Sequence, residues 1–255
     1  NTEVENKDNS QFIDMSLAKD IEAYFQENGI DHEKVAYCIT DLEHNIKYSM
    51  NEKDEFIAAS IYKLPLAMLY YDKVNEGEYT LDSTFTYSGY MHEDAGVISS
   101  DYGIGSQVPL SDLLNDLIIY SDNDAGHILY ENLGGWKEYK EAMTKYTDSI
   151  SENYYTMDNV TTANTMNDVV TYLYDHKEDY KGLIKNMEEA EPGEYLDRDT
   201  QLSMPQKYGM YDSALNSVGF VECNTSYSIV VLTSLGDKGA DVMANINRIA
   251  YEHFK

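Results

Sequence analysis

The sequence predicts an α/β protein of the α+β type: one antiparallel sheet built from both ends of the chain, flanked by an N-terminal and a C-terminal helix, with an all-helical lobe inserted between the two halves. Three observations predict it. Strand-like, β-branched segments occur only near the two ends. The long middle interval reads with helical periodicity. Helix patterns also open and close the ordered part of the chain.

The elements follow in order. The opening "NTEVENKDNS" is polar and reads as a frayed tail or linker, giving a boundary at residues 1–15. In "SLAKDIEAYFQENG", Leu17, Ile21, Tyr24 and Phe25 recur at helical spacing, and Gly29 stops the helix. "KVAYCIT" and "NIKYSMN" read as two strands joined by the polar turn "DLEHN". From Phe56 the period changes. "SIYKLPLAMLYYDKV", "LSDLLNDLIIY", "DAGHILYENL", "GWKEYKEAMTKY" and "TMNDVVTYLYDH" all read as helices separated by Gly, Ser and Asp clusters. Strand character returns near "SMPQKYGM" and in "SALNSVGFVEC" and "SYSIVVLTSL". The helix "ADVMANINRIAYEHF" closes the chain. Residues 16–55 and 200–255 therefore form an α/β lobe and residues 56–199 a helical lobe, with a binding site expected in the cleft between them.

Composition narrows the function. The chain of 255 residues is long enough to bury a sizeable core, and no apolar run is long enough to span a bilayer. Acidic residues outnumber basic ones 46 to 18, a net charge of -28, which disfavours nucleic acid and anionic lipid as partners. The 24 tyrosines suit a core whose rings are buried while their hydroxyls find polar partners. Cys38 and Cys223 read as buried thiols rather than a bridge. The six histidines lack metal-ligand spacing, so no metal or cofactor is expected, and His127 reads as a packed or surface helix residue.

The chemistry is carried by "AASIYKLPLAML". Ser60 and Lys63 are three residues apart and share a helix face, so the ammonium reaches back to the hydroxyl. Pro65 fits best in a first helical turn and therefore argues that Ser60 is at or just before the helix start. There its own N–H lacks an intrahelical partner and is half of an oxyanion hole. The flanking Ala58, Ala59, Leu64, Leu66 and Ala67 argue for burial. Two further segments follow: Ser121-Asp122-Asn123, which alone is an ordinary turn or helix cap, and Lys207-Tyr208-Gly209 before the late strands.

Taken together and in this order, S-x-x-K, S-D-N and K-x-G resemble the motif set of class A β-lactamases and penicillin-binding proteins, class A most closely. The similarity covers nearly the whole chain, including "GSQVPLSDLLNDLIIYSDNDAGHILYENLGG", "TTANTMNDVV" and "VGFVEC…YSIVVLTS". It implies a five-stranded antiparallel sheet with an all-helical lobe. It also implies Ser60 as nucleophile, Lys63 as its general base and Ser121 as proton relay to the leaving nitrogen. Asn123 would orient Lys63 and bind a substrate amide, and Lys207 would attract a substrate carboxylate. The N–H groups of Ser60 and Met210 would form the oxyanion hole, with Gly209 keeping the strand edge clear. The implied partner is a small-molecule or peptide acyl donor, a β-lactam or a D-Ala peptide. The implied location is extracytoplasmic, secreted or tethered through a removed segment. For Lys63 to act as a base, its pKa must fall from about 10.4 to near 7, roughly 4.6 kcal/mol, through burial and the second ammonium of Lys207.

The sequence departs from the family at two places. The omega-loop E-x-x-x-N element is missing between Ser121 and Thr162; Glu152 has Thr156 four residues on, and Asp158 is one methylene shorter at a different spacing. Without a positioned base, deacylation is expected to be slow. Tyr208 replaces the family's small hydroxyl residue and bears on substrate class. Three readings follow: a class A-type serine acyl hydrolase with weak or absent β-lactam turnover, a cell-wall D-Ala-peptide carboxypeptidase or esterase, and a catalytically silent binding domain on the same fold.

Overall fold

The computed structural model describes residues 2–6 and 14–255. In chain order, β1 (Thr2–Asn6), α1 (Ser16–Asn28), β2 (Val35–Asp41) and β3 (Ile46–Met50) build the first part of the sheet lobe. The helical lobe follows: β4 (Phe56–Ile57), α2 (Lys63–Asn75), β5 (Thr84–Thr86), α3 (Val97–Asp101), β6 (Gln107–Pro109), α4 (Leu110–Ile119), α5 (Asn123–Asn132), α6 (Trp136–Met143), β7 (Val160–Thr161), α7 (Ala163–Asp175) and α8 (Lys181–Glu189). The sheet is completed by β8 (Gln206–Tyr211), β9 (Ala214–Val221) and β10 (Tyr227–Thr233), and α9 (Lys238–Phe254) ends the chain.

The sheet runs β1-β3-β2-β10-β9-β8, every neighbouring pair antiparallel. Its central strands are apolar on both faces because both are covered. Val35, Tyr37 and Ile39 of β2 and Ile229 and Val231 of β10 join Leu17, Ile21 and Phe25 of α1 and Val242, Ile246 and Ala250 of α9. Their alternates Ala36, Cys38, Val230 and Leu232, with Val218 and Phe220 of β9, pack instead with the helical lobe. This is the period-two division of a strand buried on two sides. Several core tyrosines are satisfied through their hydroxyls: Tyr146 and Tyr180 both donate to Asp72 at 2.6 Å, and Tyr70 donates to the Leu129 carbonyl. Cys38 and Cys223 are both free.

Three sequence expectations are corrected. Thr2–Asn6 is no loose tail but a sixth strand, paired with β3 in register Thr2↔Met50 to Asn6↔Ile46. Its polarity reflects an edge with little to bury; Glu5 meets Lys47 at 2.9 Å. The rest of the expected tail, Asn1 and residues 7–13, lies outside the described residues. The helical lobe is also not purely helical: β4 pairs with β7 and β5 with β6. These ladders of two and three residues are too short for periodicity to register. Finally, α8 was not anticipated, because its buried Leu183 and Met187 make a stripe of only one turn.

Candidate active site

The site forms where β8, the free edge of the sheet, meets the start of α2 and the α4–α5 junction. Ser60 sits in a single tight helical turn, Ala59–Tyr62, that leads into α2. The residue before it, Ala59, has φ of +52°, a left-handed conformation that costs an alanine about 1 kcal/mol or more. The surroundings hold this elbow in place. Asn159 Nδ2 donates to the Ala59 carbonyl at 2.8 Å, the Ala58 N–H donates to the Asn159 carbonyl at 2.9 Å, and Asn216 Nδ2 donates to the Ala58 carbonyl at 3.0 Å.

Lys63 Nζ lies 3.1 Å from Ser60 Oγ, 2.6 Å from the Ser121 carbonyl oxygen and 2.6 Å from Asn123 Oδ1. Lys63 has no exposed surface. Burial lowers its pKa from the usual lysine value to about 7, against the attraction of Asp122 and Glu93. A neutral amine has two N–H groups and one lone pair. The two carbonyl-type oxygens take the N–H groups, which leaves the lone pair for the serine hydroxyl. Gly126 of α5 makes this approach possible: a Cβ there would fall 2.6 Å from the Tyr62 hydroxyl and 3.6 Å from Lys63 Cε.

Ser121 also occupies the left-handed region, with φ of +53°, and this turns its carbonyl toward Lys63. Its hydroxyl lies 3.3 Å from Lys63 Nζ and accepts from Lys207 Nζ at 3.0 Å, so it bridges the two lysines. Asp122 caps α5 by accepting from the Ala125 N–H at 2.9 Å, so the S-D-N segment is a helix cap as well as part of the site. Lys207 is fully buried; its Nζ also donates to the Tyr208 carbonyl at 2.6 Å. Burial first, and the neighbouring Lys63 whenever it is protonated second, hold it well below the ordinary lysine value. Gly209 lets the β8 backbone lie against the Ser60 turn, since a Cβ there would sit 2.6 Å from the Ser60 nitrogen. Met210 follows, half exposed at the cleft.

The cleft is a cavity of about 560 Å³ whose lining includes Ser60, Asn123, His127, Asp158, Asn159 and Met210. The structure thus brings together Ser60, Lys63, Ser121, Asn123, Lys207, Gly209 and Met210. Tyr208 does not line the cavity: its ring stacks on Tyr195, centroids 4.6 Å apart, and packs against Lys207, whose Nζ lies 4.2 Å from the ring centroid. Strand alternation explains this, because Lys207 and Gly209 take the site-facing positions. His127 is packed edge-on against Tyr130 as expected, yet it also lines the cavity, and its buried Nδ1 has no hydrogen-bond partner among the described residues. Of the two omega-loop carboxylates, Asp158 lines the cavity and Glu152 does not.

Sequence reasoning missed three residues. Glu93 lines the cavity and its Oε2 accepts from Asn123 Nδ2 at 2.6 Å. Asn159, the elbow's anchor, has Tyr155 four residues before it, so the asparagine half of E-x-x-x-N persists without the glutamate. Lys140, buried in α6, donates to the carbonyls of Tyr154, Thr156 and Asp158 and so holds the omega loop from beneath. A lysine in an amphipathic helix carries no sequence signal for such a role; a search for asparagine rather than glutamate would have found Asn159.

Known proteins agree with this architecture. A β-lactamase from Chitinophaga pinensis superposes with a TM-score of 0.77 at 21% identity, covering 94% of this chain and 99% of that one. TLA-1 extended-spectrum β-lactamase gives 0.78 at 22% identity, with 93% and 98% covered. A mutant of PBP-A in an acyl-enzyme complex with penicillin-G gives 0.78 at 16% identity, with 94% and 96% covered. At these identities the likeness establishes the fold. No curated protein matches the chain. The family model of the beta-lactamase enzyme family matches residues 16–254, nearly the entire chain, and with the sheet-and-lobe fold and the Ser60 cleft in place, the chain belongs to the beta-lactamase enzyme family.

Proposed function

We propose that this protein is an extracytoplasmic serine acyl hydrolase that forms an acyl-enzyme on Ser60 and turns β-lactams over slowly or not at all. The observation that carries the proposal is the buried Lys63 amine, 3.1 Å from the serine hydroxyl and held by two carbonyl-type oxygens. In the proposed reaction, the Ser60 oxygen bonds to the acyl carbon while its proton passes to neutral Lys63. The N–H groups of Ser60 and Met210 receive the developing oxyanion. The Ser121 hydroxyl protonates the departing group and is itself reprotonated from the lysine pair. Water then cleaves the ester, releasing the acid and restoring the Ser60 hydroxyl.

The slow second step follows from the omega loop. Tyr155 stands where the family pattern has its glutamate, and Asp158 is exposed, its carboxylate without a hydrogen bond among the described residues. Incubation with a fluorescent penicillin, followed by intact mass, tests the proposal. A single persistent adduct, absent from Ser60→Ala, is expected. Unlabelled wild-type protein would remove the acylation claim, and rapid hydrolysis of a chromogenic cephalosporin would remove the slow-turnover claim.

A second reading, a peptidase or esterase of the cell wall, is favoured by Tyr208. Its ring lies against Tyr195 rather than offering a hydroxyl to a substrate carboxylate. Release of D-alanine from a D-Ala-D-Ala peptide, or turnover of a simple ester, abolished by Ser60→Ala, would support it.

A further inference from the structure

Glu93 is built into the cleft. It lies in the loop between β5 and α3, and that loop is fastened to α5 by one carboxylate. Asp124 accepts the Tyr87 hydroxyl at 2.5 Å and the Glu93 N–H at 2.9 Å, and its Oδ2 lies 2.8 Å from His92 Nδ1. Asp124 and Tyr87 are both buried. So fixed, Glu93 accepts one of the two N–H groups of Asn123 Nδ2, whose Oδ1 is already on Lys63. The Ser121–Lys207 side of the cleft is the proposed departure route, so the Asn123–Glu93 side faces the acyl portion of a substrate.

This arrangement inverts what that wall recognises. A carbonyl oxygen approaching Asn123 Nδ2 would meet the Glu93 carboxylate lying 2.6 Å from the same nitrogen. An ammonium or N–H donor would meet its complement there. His127, one turn along α5, adds an imidazole whose Nδ1 is buried without a partner among the described residues. Asp158 adds a second carboxylate to the lining. Among the described residues no lysine or arginine lines the cavity, and Lys63 and Lys207 beneath it have no exposed area. Arg198 is paired with Asp199 and Asp241, and Arg248 lies on α9 beside Asn245.

We propose that the cleft selects acyl donors that carry an ammonium group on the acyl side, read by Glu93, and discriminates against donors that carry a carboxylate there. The inference rests on the acyl-hydrolase reading and adds the substrate class to it.

Three p-nitrophenyl esters of equal chain length, ending in ammonium, methyl or carboxylate, test it, because they share one leaving group and differ only on the acyl side. Nitrophenolate release and the Ser60 adduct mass are read together. Wild type is expected to prefer ammonium over carboxylate by about 100-fold, and Glu93→Gln to lower that ratio about tenfold. Asp82→Asn, which removes an exposed carboxylate outside the cavity, leaves the ratio unchanged. A wild-type ratio near or below one overturns the inference. So does an unchanged ratio in a Glu93→Gln protein that still cleaves the methyl ester. If that variant does not fold, the salt series on wild type decides: the preference must shrink as NaCl rises, and a salt-independent ratio overturns the inference. Failure of all three esters to acylate Ser60 is a different outcome, which removes the hydrolase reading itself.

Discussion

At the scale of single residues, the site depends on which charges the fold desolvates. Lys63, with its pKa held at about 7, must be neutral to accept a proton. The acylation rate of wild type is therefore expected to rise with pH through an apparent pKa near 7, read from the fluorescent-penicillin burst. Lys63→Arg, which keeps its proton, should lose about 1,000-fold in that rate. Asp116 on α4 shows the opposite case. It is buried, and burial together with Asp122, Asp112 and Asp101 pushes its pKa up to about 7. The unfolded chain loses this proton near pH 4, so between about pH 4 and 7 the folded state binds more protons and stability falls as pH rises. Asp116→Asn removes that loss. Its melting temperature should exceed wild type by roughly 4 °C at pH 8 and match it near pH 4. The sequence offered Ser60 and Lys63 through their spacing and Pro65. It offered no reason to single out Asp116 or Glu93, because burial and partner are decided by distant segments.

At the scale of elements, the omega loop between α6 and β7 is organised by a cation rather than by an ion pair. Lys140 is buried beneath it with three carbonyl acceptors. Lys140→Met would leave those oxygens without their shared donor, at a cost of about 1–3 kcal/mol. The expected result is faster proteolytic cleavage within residues 147–161, with amide exchange of β2 and β10 unchanged. Cleavage at the wild-type rate would show that the ammonium does not hold the loop. The long amphipathic helices and the paired β9–β10 hairpin were legible because each repeats its period over several turns or pleats. The ladders β4–β7 and β5–β6, the strand β1 and the short α8 were not, because each is too brief or too polar for a period to emerge.

At the scale of the whole molecule, a net charge of -28 on 255 residues sets a self-repulsion that salt screens. The melting temperature is expected to rise by roughly 5 °C between about 10 mM and 300 mM NaCl. A midpoint that stays flat or falls would mean that the acidic groups are already locally compensated.

The sequence alone determined the two-lobed plan, the order of the main helices and strands, the motif spacing around Ser60, Ser121 and Lys207, and the missing omega-loop glutamate. These are local properties, set by periodicity, helix-terminus chemistry and residue identity. Only the tertiary structure decided that the Lys63 amine is dry and 3.1 Å from its serine, that the Tyr208 ring packs between Tyr195 and Lys207 instead of lining the cleft, and that Glu93 occupies the free side of Asn123. The reason is that desolvation and hydrogen-bond partnership depend on atoms separated by tens of residues along the chain, which come into contact only when the sheet edge closes against the helical lobe.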